Sequence, residues 1–376
     1  MWLSANEALR RLSVKPQTLY ASVSRGRIRA KPDPADPRRS LYNRDDIERL
    51  VRRASGRPRA EAVAAEAISW GDPVLASAIS TVAGGRLWYR GRDAATLAET
   101  DTLEEVADLL WGGFPESPTV VQVAEPGIPA AMHALVARAA DGPPGTFRYP
   151  SALRADAVAV LADLASALAG PGDGGLHERL ARRFRRSEAA DDLRRALVLL
   201  ADHDLNASTF AGRVAVSTGA PLAAGTLAAL SALTGPLHGR AAATVRSLVE
   251  DLAASGGDMA TALREWIGEG RGVPGFGHPL YPRGDVRAKA LLGALAVPVG
   301  YARFREAAEG LTGEGANIDF ALAALAATYD LPMTATIEIF ALARSVGWLA
   351  HMLEQAQTGA LIRPRARYVG PQPGEA

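Results

Sequence analysis

Apolar positions along most of this chain recur at helical spacing. Leu103, Val106, Ala107 and Leu110 share one helix face, as do Leu193, Ala196, Leu197 and Leu200, the spacing of a helix that buries one side against a core. From Glu61 onward the pattern predicts helices almost throughout. Alternation with a period of two is scarce, so the body is expected to be all-α. Glycine and proline break the pattern at 141–145 (DGPPG) and 170–175 (GPGDGG), where loops are expected. Residues 214–237 carry no charge, but Pro221 and Pro236 interrupt them and small residues dominate. A membrane span wants about 20 predominantly apolar residues, so buried helices are expected there instead.

The first 53 residues follow another plan. Ser4 is placed to cap a helix carrying Ala8, Leu9 and Leu12, with Glu7 completing a capping box. After a break at 13–15, Pro16 opens a second helix through Leu19, Tyr20 and Val23, which stops at Gly26. A loop with Pro32, Pro34, Pro37 and Arg38-Arg39 follows, then a third helix over 45–53. Residues 54–60 form the expected linker. Two helices about a short turn, then a basic loop, is the order of a winged helix-turn-helix.

Composition sharpens this division. The net charge is only +1. Residues 1–59, however, hold 15 basic and 6 acidic side chains, and the remainder 27 and 35. A +9 module therefore joins a −8 body, and the sign of the first suits nucleic acid. The absence of cysteine excludes a disulfide scaffold, Cys-ligated zinc, iron–sulfur ligation and a thiol nucleophile. It fits a cytoplasmic protein, and the first residues lack the basic-then-apolar order of a secretory signal. Dinucleotide, Walker and nucleophile-elbow motifs are missing, and no two of the six histidines stand at HxxxH spacing. No metal site and no permanent cofactor are expected.

Four segments place ionisable residues among small or turn-forming neighbours. They are 201–206 (ADHDLN), 235–239 (GPLHG), 275–279 (GFGHP) and 317–320 (NIDF). Taken singly, each histidine reads as structural; four such segments in one helical body point to a site.

Together these segments resemble the citrate synthase family. ADHDLNASTFAGRV, GPLHG, GFGHPLYPRGDVRAK, ANIDF, IFALARSVGWLAHMLEQ and IRPRARYVGP stand in the family's order, and GRLWYRGRDAATLAETDTLEEVADLLW resembles its N-terminal region. The likeness covers about residues 61–371. Residues 3–28 (LSANEALRRLSVKPQTLYASVSRGRI) resemble the DNA-binding domains of MerR-type regulators and excisionases. The resemblance implies a large helical domain (61–239 and 329–376), a small one (240–328) and a helix-turn-helix at 1–53, in a homodimer.

It also implies roles. Asp319 would be the base, His238 the donor to the thioester oxygen, and His278 the group polarising the keto carbonyl. His203, Asn206, Arg287, Arg344 and Arg363 would hold oxaloacetate, Arg363 from the partner subunit. Gly275, Phe276, Gly277, Arg283 and Lys289 would meet coenzyme A. The groove of DNA would face Gln17, Thr18, Ser22 and Arg25, with Arg38 and Arg39 near phosphates. Acetyl-CoA or propionyl-CoA would be the co-substrate, giving citrate or 2-methylcitrate. A DNA-binding regulator using the body as a metabolite sensor is the alternative from another class. Leu200, Arg240, Ala242, Pro279, Pro282 and Ala316 depart from the family's usual residues, which bears on acyl-CoA preference and affinity.

Overall fold

A computed structural model describes residues 2–12, 28–33, 36–44, 46–47, 75–113, 125–254, 256 and 258–364, with Leu19, Val23, Ala366 and Gly370. The chain divides into two compact units, 1–76 with 365–376, and 77–364.

In the first unit, β1 (Trp2–Leu3) leads into α1 (Ala5–Leu12), and β2 (Ala30–Asp33) and β3 (Asp36–Asn43) complete an antiparallel sheet ordered β1-β3-β2. The expected capping box forms: Ser4 N donates to Glu7 Oε2 at 2.9 Å and Glu7 N to Ser4 Oγ at 3.4 Å. Leu3, Ala8, Leu19, Ile28, Tyr42 and Ile47 make a separate small core. The proline-bearing segment expected as a loop is a hairpin. Pro32 lies on the edge strand, where the register slips, a place that tolerates a residue without an N–H. Arg38 and Arg39 lie on β3. Gln17, Thr18, Ser22, Arg25, the 54–60 linker and most of the third helix lie outside the described residues.

The second unit is mostly helical, as expected, with one small sheet that the apolar pattern does not announce. It opens with a sheet ordered β4-β5-β6, formed by β4 (Ser80–Ala83), β5 (Arg86–Tyr89) and β6 (Arg92–Asp93). Gly84 and Gly85 take φ of +62° and +75°, the left-handed pair that closes a two-residue hairpin. Each strand is too short to announce itself by alternation.

Helices α2 (Ala94–Thr100), α3 (Leu103–Trp111), α4 (Ile128–Ala140), α5 (Pro150–Ala169), α6 (Leu176–Arg183) and α7 (Ala190–Leu200) follow. Then come α8 (Ala207–Ser217), α9 (Leu222–Leu233), α10 (Ala241–Ala254), α11 (Met259–Gly268), α12 (Val286–Ala294), α13 (Val299–Thr312), α14 (Ile318–Thr328) and α15 (Ala335–Thr358). Side-chain caps fix several starts, among them Thr102 on α3, Asn206 on α8, Asp285 on α12 and Asn317 on α14. The uncharged stretch 214–237 is the end of α8, a turn and α9. Among the described residues no helix is long and apolar enough to cross a membrane. Helix α15 is buried along most of its 24 residues, and the loops that carry the histidines gather around it.

Candidate active site

Local rules explain why the four segments are turns. His203 lies between α7 and the Asn206 cap of α8. Tyr89 pins this turn, its hydroxyl lying 3.0 Å from Asp202 O and 3.2 Å from Asp202 N. His238 sits in the turn between α9 and α10, with its N–H on Gly235 O at 3.1 Å. The 275–277 loop is stitched to 315–317 by Gly277 N to Gly315 O at 3.0 Å, Asn317 N to Gly275 O at 2.8 Å and Asn317 Nδ2 to Gly277 O at 3.0 Å. That stitch fixes His278 relative to Asp319, which stands in the first turn of α14.

The keto-acid residues inferred from sequence converge. The rings of His203 and His278 lie 5.1 Å apart edge-on, and Tyr281 stands 5.1 Å from His278. Tyr281 Oη meets His203 Nε2 at 2.9 Å. The Arg287 guanidinium lies 5.3 Å from the Tyr281 ring, and Arg344 lies 4.8 Å from the Phe340 ring. His238 packs edge-on to the same Phe340, at 5.9 Å.

The two arginines differ. Arg287 is bidentate on Asp285, at 3.0 and 2.7 Å, and this pairing outweighs burial to raise its pKa. Arg344 is 1% exposed and forms no ion pair among the described residues. Its Nε donates to Leu200 O at 2.8 Å. Burial, then Arg287, lowers its pKa to about 10. Asp202 opposes this through space, but no carboxylate pairs directly with Arg344 among the described residues, and a buried cation so placed is costly.

Burial and these cations also set the titrating groups. Burial, reinforced by Arg344, brings His238 down to about 4. Burial and Arg287 do the same for His278, against Asp285. His203 falls well below its ordinary value through burial and both arginines. All three rings are therefore neutral near pH 7. Burial pushes partly exposed Asp319 up to about 6, although Arg287 opposes it, so it ionises just below neutrality and retains basicity.

Other inferred residues fall less centrally. Phe276 is buried in an aromatic cluster with Phe304 and Phe320. Arg283 and Lys289 are exposed and line a cavity of about 690 Å³ with Arg305, Glu309 and Glu314. Asn206 caps α8 and reaches His203 O at 3.4 Å. Arg363 is exposed and has no hydrogen bond or ion pair with the pocket among the described residues. Among the described residues no group of His, Asp or Glu is placed to hold a metal ion.

Sequence reasoning missed Asp285, Ser208 and Tyr281. Asp285 Oδ2 also accepts Ile318 N at 3.1 Å, joining Arg287 to the start of α14. Ser208 Oγ lies 2.9 Å from His238 Nε2, 2.7 Å from Asn206 Oδ1, and 3.0 Å from the indole N–H of Trp348. Only the Asp285-Val286-Arg287 spacing was a local signal.

Comparison with known proteins matches residues 152–365 to the family model for the citrate synthase C-terminal domain. A citrate synthase of Haloferax volcanii is 40% identical over 185 residues, 46% of this chain and 49% of that protein. A 2-methylcitrate synthase of Corynebacterium glutamicum is 34% identical over 201 residues, 49% of this chain and 51% of that protein. The chain spans about half the length of the curated relatives it matches. Among solved structures, a Thermotoga maritima citrate synthase aligns with a TM-score of 0.65 at 27% identity, covering 81% of this chain and 96% of the other. A Thermoplasma acidophilum citrate synthase gives 0.67 at 24% identity over 81% and 96%, a likeness of fold.

Proposed function

The chain belongs to the citrate synthase family, and we propose that it condenses acetyl-CoA with oxaloacetate, then hydrolyses the thioester to citrate and free CoA. The observation that carries this reading is Arg344, a buried cation without a carboxylate partner beside three neutral histidines. Oxaloacetate supplies the missing anion, held by Arg344, Arg287 and His203.

Asp319, with a pKa near 6, takes a proton from the thioester methyl group. The His238 ring, neutral near pH 7 and held by Ser208 at 2.9 Å, donates its N–H to the forming enolate oxygen. His278 Nδ1 accepts the Leu280 N–H at 3.2 Å, so its proton lies on Nε2, ready for the keto oxygen. The enol carbon bonds to the keto carbon, the keto oxygen takes a proton, and water then releases the thiol.

Propionyl-CoA is the second reading, supported by the similarity to 2-methylcitrate synthases. One methylene gives only about 1–3 kcal/mol of discrimination. Thiol release with both acyl-CoAs competing, and product masses read, tests both readings. Citrate in excess supports the first, 2-methylcitrate the second, and neither product defeats both. We place the large domain at 61–239 and 329–376, closing on 240–328, in a homodimer whose exposed Arg363 completes the partner's pocket. For the first unit, the charge excess and Arg38 and Arg39 on a hairpin support docking on DNA, tested by a salt-dependent mobility shift.

A further inference from the structure

Three rungs tie one face of α15 to the segment that carries His203. Arg344 Nε donates to Leu200 O at 2.8 Å, Gly347 N to Ala201 O at 3.1 Å, and His351 Nε2 meets Asp202 Oδ2 at 3.1 Å. Positions 344, 347 and 351 climb one helix face and meet residues 200, 201 and 202 in order. A Cβ on residue 347 would lie 2.3 Å from Asp202 Oδ1 and 2.4 Å from Ala201 O, so the close approach at the middle rung needs glycine. The first rung is made by the arginine of the keto-acid pocket, and the last is one residue from His203.

The last rung has no part in the chemistry above. Asp202 is 0% exposed; its Oδ2 also accepts the Ser80 hydroxyl, and its Oδ1 has no hydrogen-bond partner. The His351 ring faces Asp202 on one side. On the other, Arg213 Nη1 from α8 and Ser77 Oγ each lie 3.4 Å from Nδ1, and Arg213 itself pairs with Glu354. An arginine N–H aimed at Nδ1 puts the ring proton on Nε2, pointing at the carboxylate. A buried carboxylate with an orphaned oxygen is costly, and simple packing of α15 does not call for one. Holding the backbone beside His203 at a fixed height along α15 does.

We propose that His351 and Asp202 are positioning residues for the keto-acid pocket, setting His203 in register with Arg344. The proposal rests on the oxaloacetate reading above. Two variants of the full chain test it. His351→Gln keeps an N–H donor near Nε2, whereas His351→Leu with Asp202→Asn removes donor and charge together and strands no carboxylate. Oxaloacetate binding is measured by calorimetry without acyl-CoA, beside the kinetic constants.

The double variant should bind oxaloacetate about tenfold more weakly, with its KM rising in step, while kcat and the acetyl-CoA KM stay within about twofold. His351→Gln should restore binding to within about threefold of the wild type. Unchanged binding in the double variant, a His351→Gln protein as weak as the double variant, or a joint loss of all kinetic constants would overturn the proposal. Failure of the wild-type chain itself to bind oxaloacetate would instead defeat the functional reading beneath it.

Discussion

His238 and Asp319 sit in a different electrostatic setting from Arg287 and Arg344. The first pair is tuned by burial to about 4 and about 6, His238 hydrogen-bonded with Ser208 and Asp319 donating its backbone N–H to Asn317 Oδ1. The second pair is fixed charge, one member neutralised by Asp285 and the other left open. Under the proposed function, the contrast separates a half that would move protons from a half that would hold anions. It also separates, within the second half, a cation that has a carboxylate partner in the fold from one that has none paired directly among the described residues.

The largest effect that can break this contrast is at Asp319. Asp319→Asn should lower kcat by about 10²- to 10⁴-fold with the oxaloacetate KM nearly unchanged, as measured by thiol release. Its stability effect has the opposite sign. The folded pKa is raised, so the carboxyl's favourable contribution is present below about pH 4 and lost as pH rises through about 6. The variant should therefore be more stable at neutral pH, by at most about 2 kcal/mol given its partial exposure, which denaturant melts would read.

The arginines should then part company. Arg287→Met strands the buried Asp285 carboxylate and should cost about 3–5 kcal/mol of stability. Arg344→Met strands no paired carboxylate, although Leu200 O loses its donor, and should cost clearly less stability than Arg287→Met while raising the oxaloacetate KM about 100-fold. Equal losses of stability in the two variants would erase the distinction between them. The smallest effect is expected for Ser208→Ala, about tenfold in kcat as His238 loses its hydrogen bond together with those to Asn206 and Trp348, with the oxaloacetate KM little changed.

Much of this arrangement could be read from the chain. The spacing of Leu193, Ala196, Leu197 and Leu200 marked a buried helix, and the Ser4–Glu7 box formed as the residues dictate. The motifs around His203, His238, His278 and Asp319 pointed to one pocket, and the structure turns the first three into neutral rings through burial. Other parts could not be read. Tyr281 is 78 residues from His203, and Trp348 is 140 from Ser208; such pairs exist only once the helices pack. The hairpin at Ser80–Tyr89 escaped because strands of four residues carry too little alternation, although Gly84-Gly85 was a turn signal. The proline-rich segment 30–43 was misread because proline is tolerated on an edge strand.

In the proposed reaction Asp319 removes the proton that makes the acyl-CoA a nucleophile. Its most direct test is CoA release from acetyl-CoA and oxaloacetate between pH 4.5 and 8, for the wild type and Asp319→Asn. The wild type should show kcat/KM rising through an apparent pKa of about 6 to a plateau, and the variant a flat profile far below it. Two proteins with the same rates and the same pH profile would rule Asp319 out as the base.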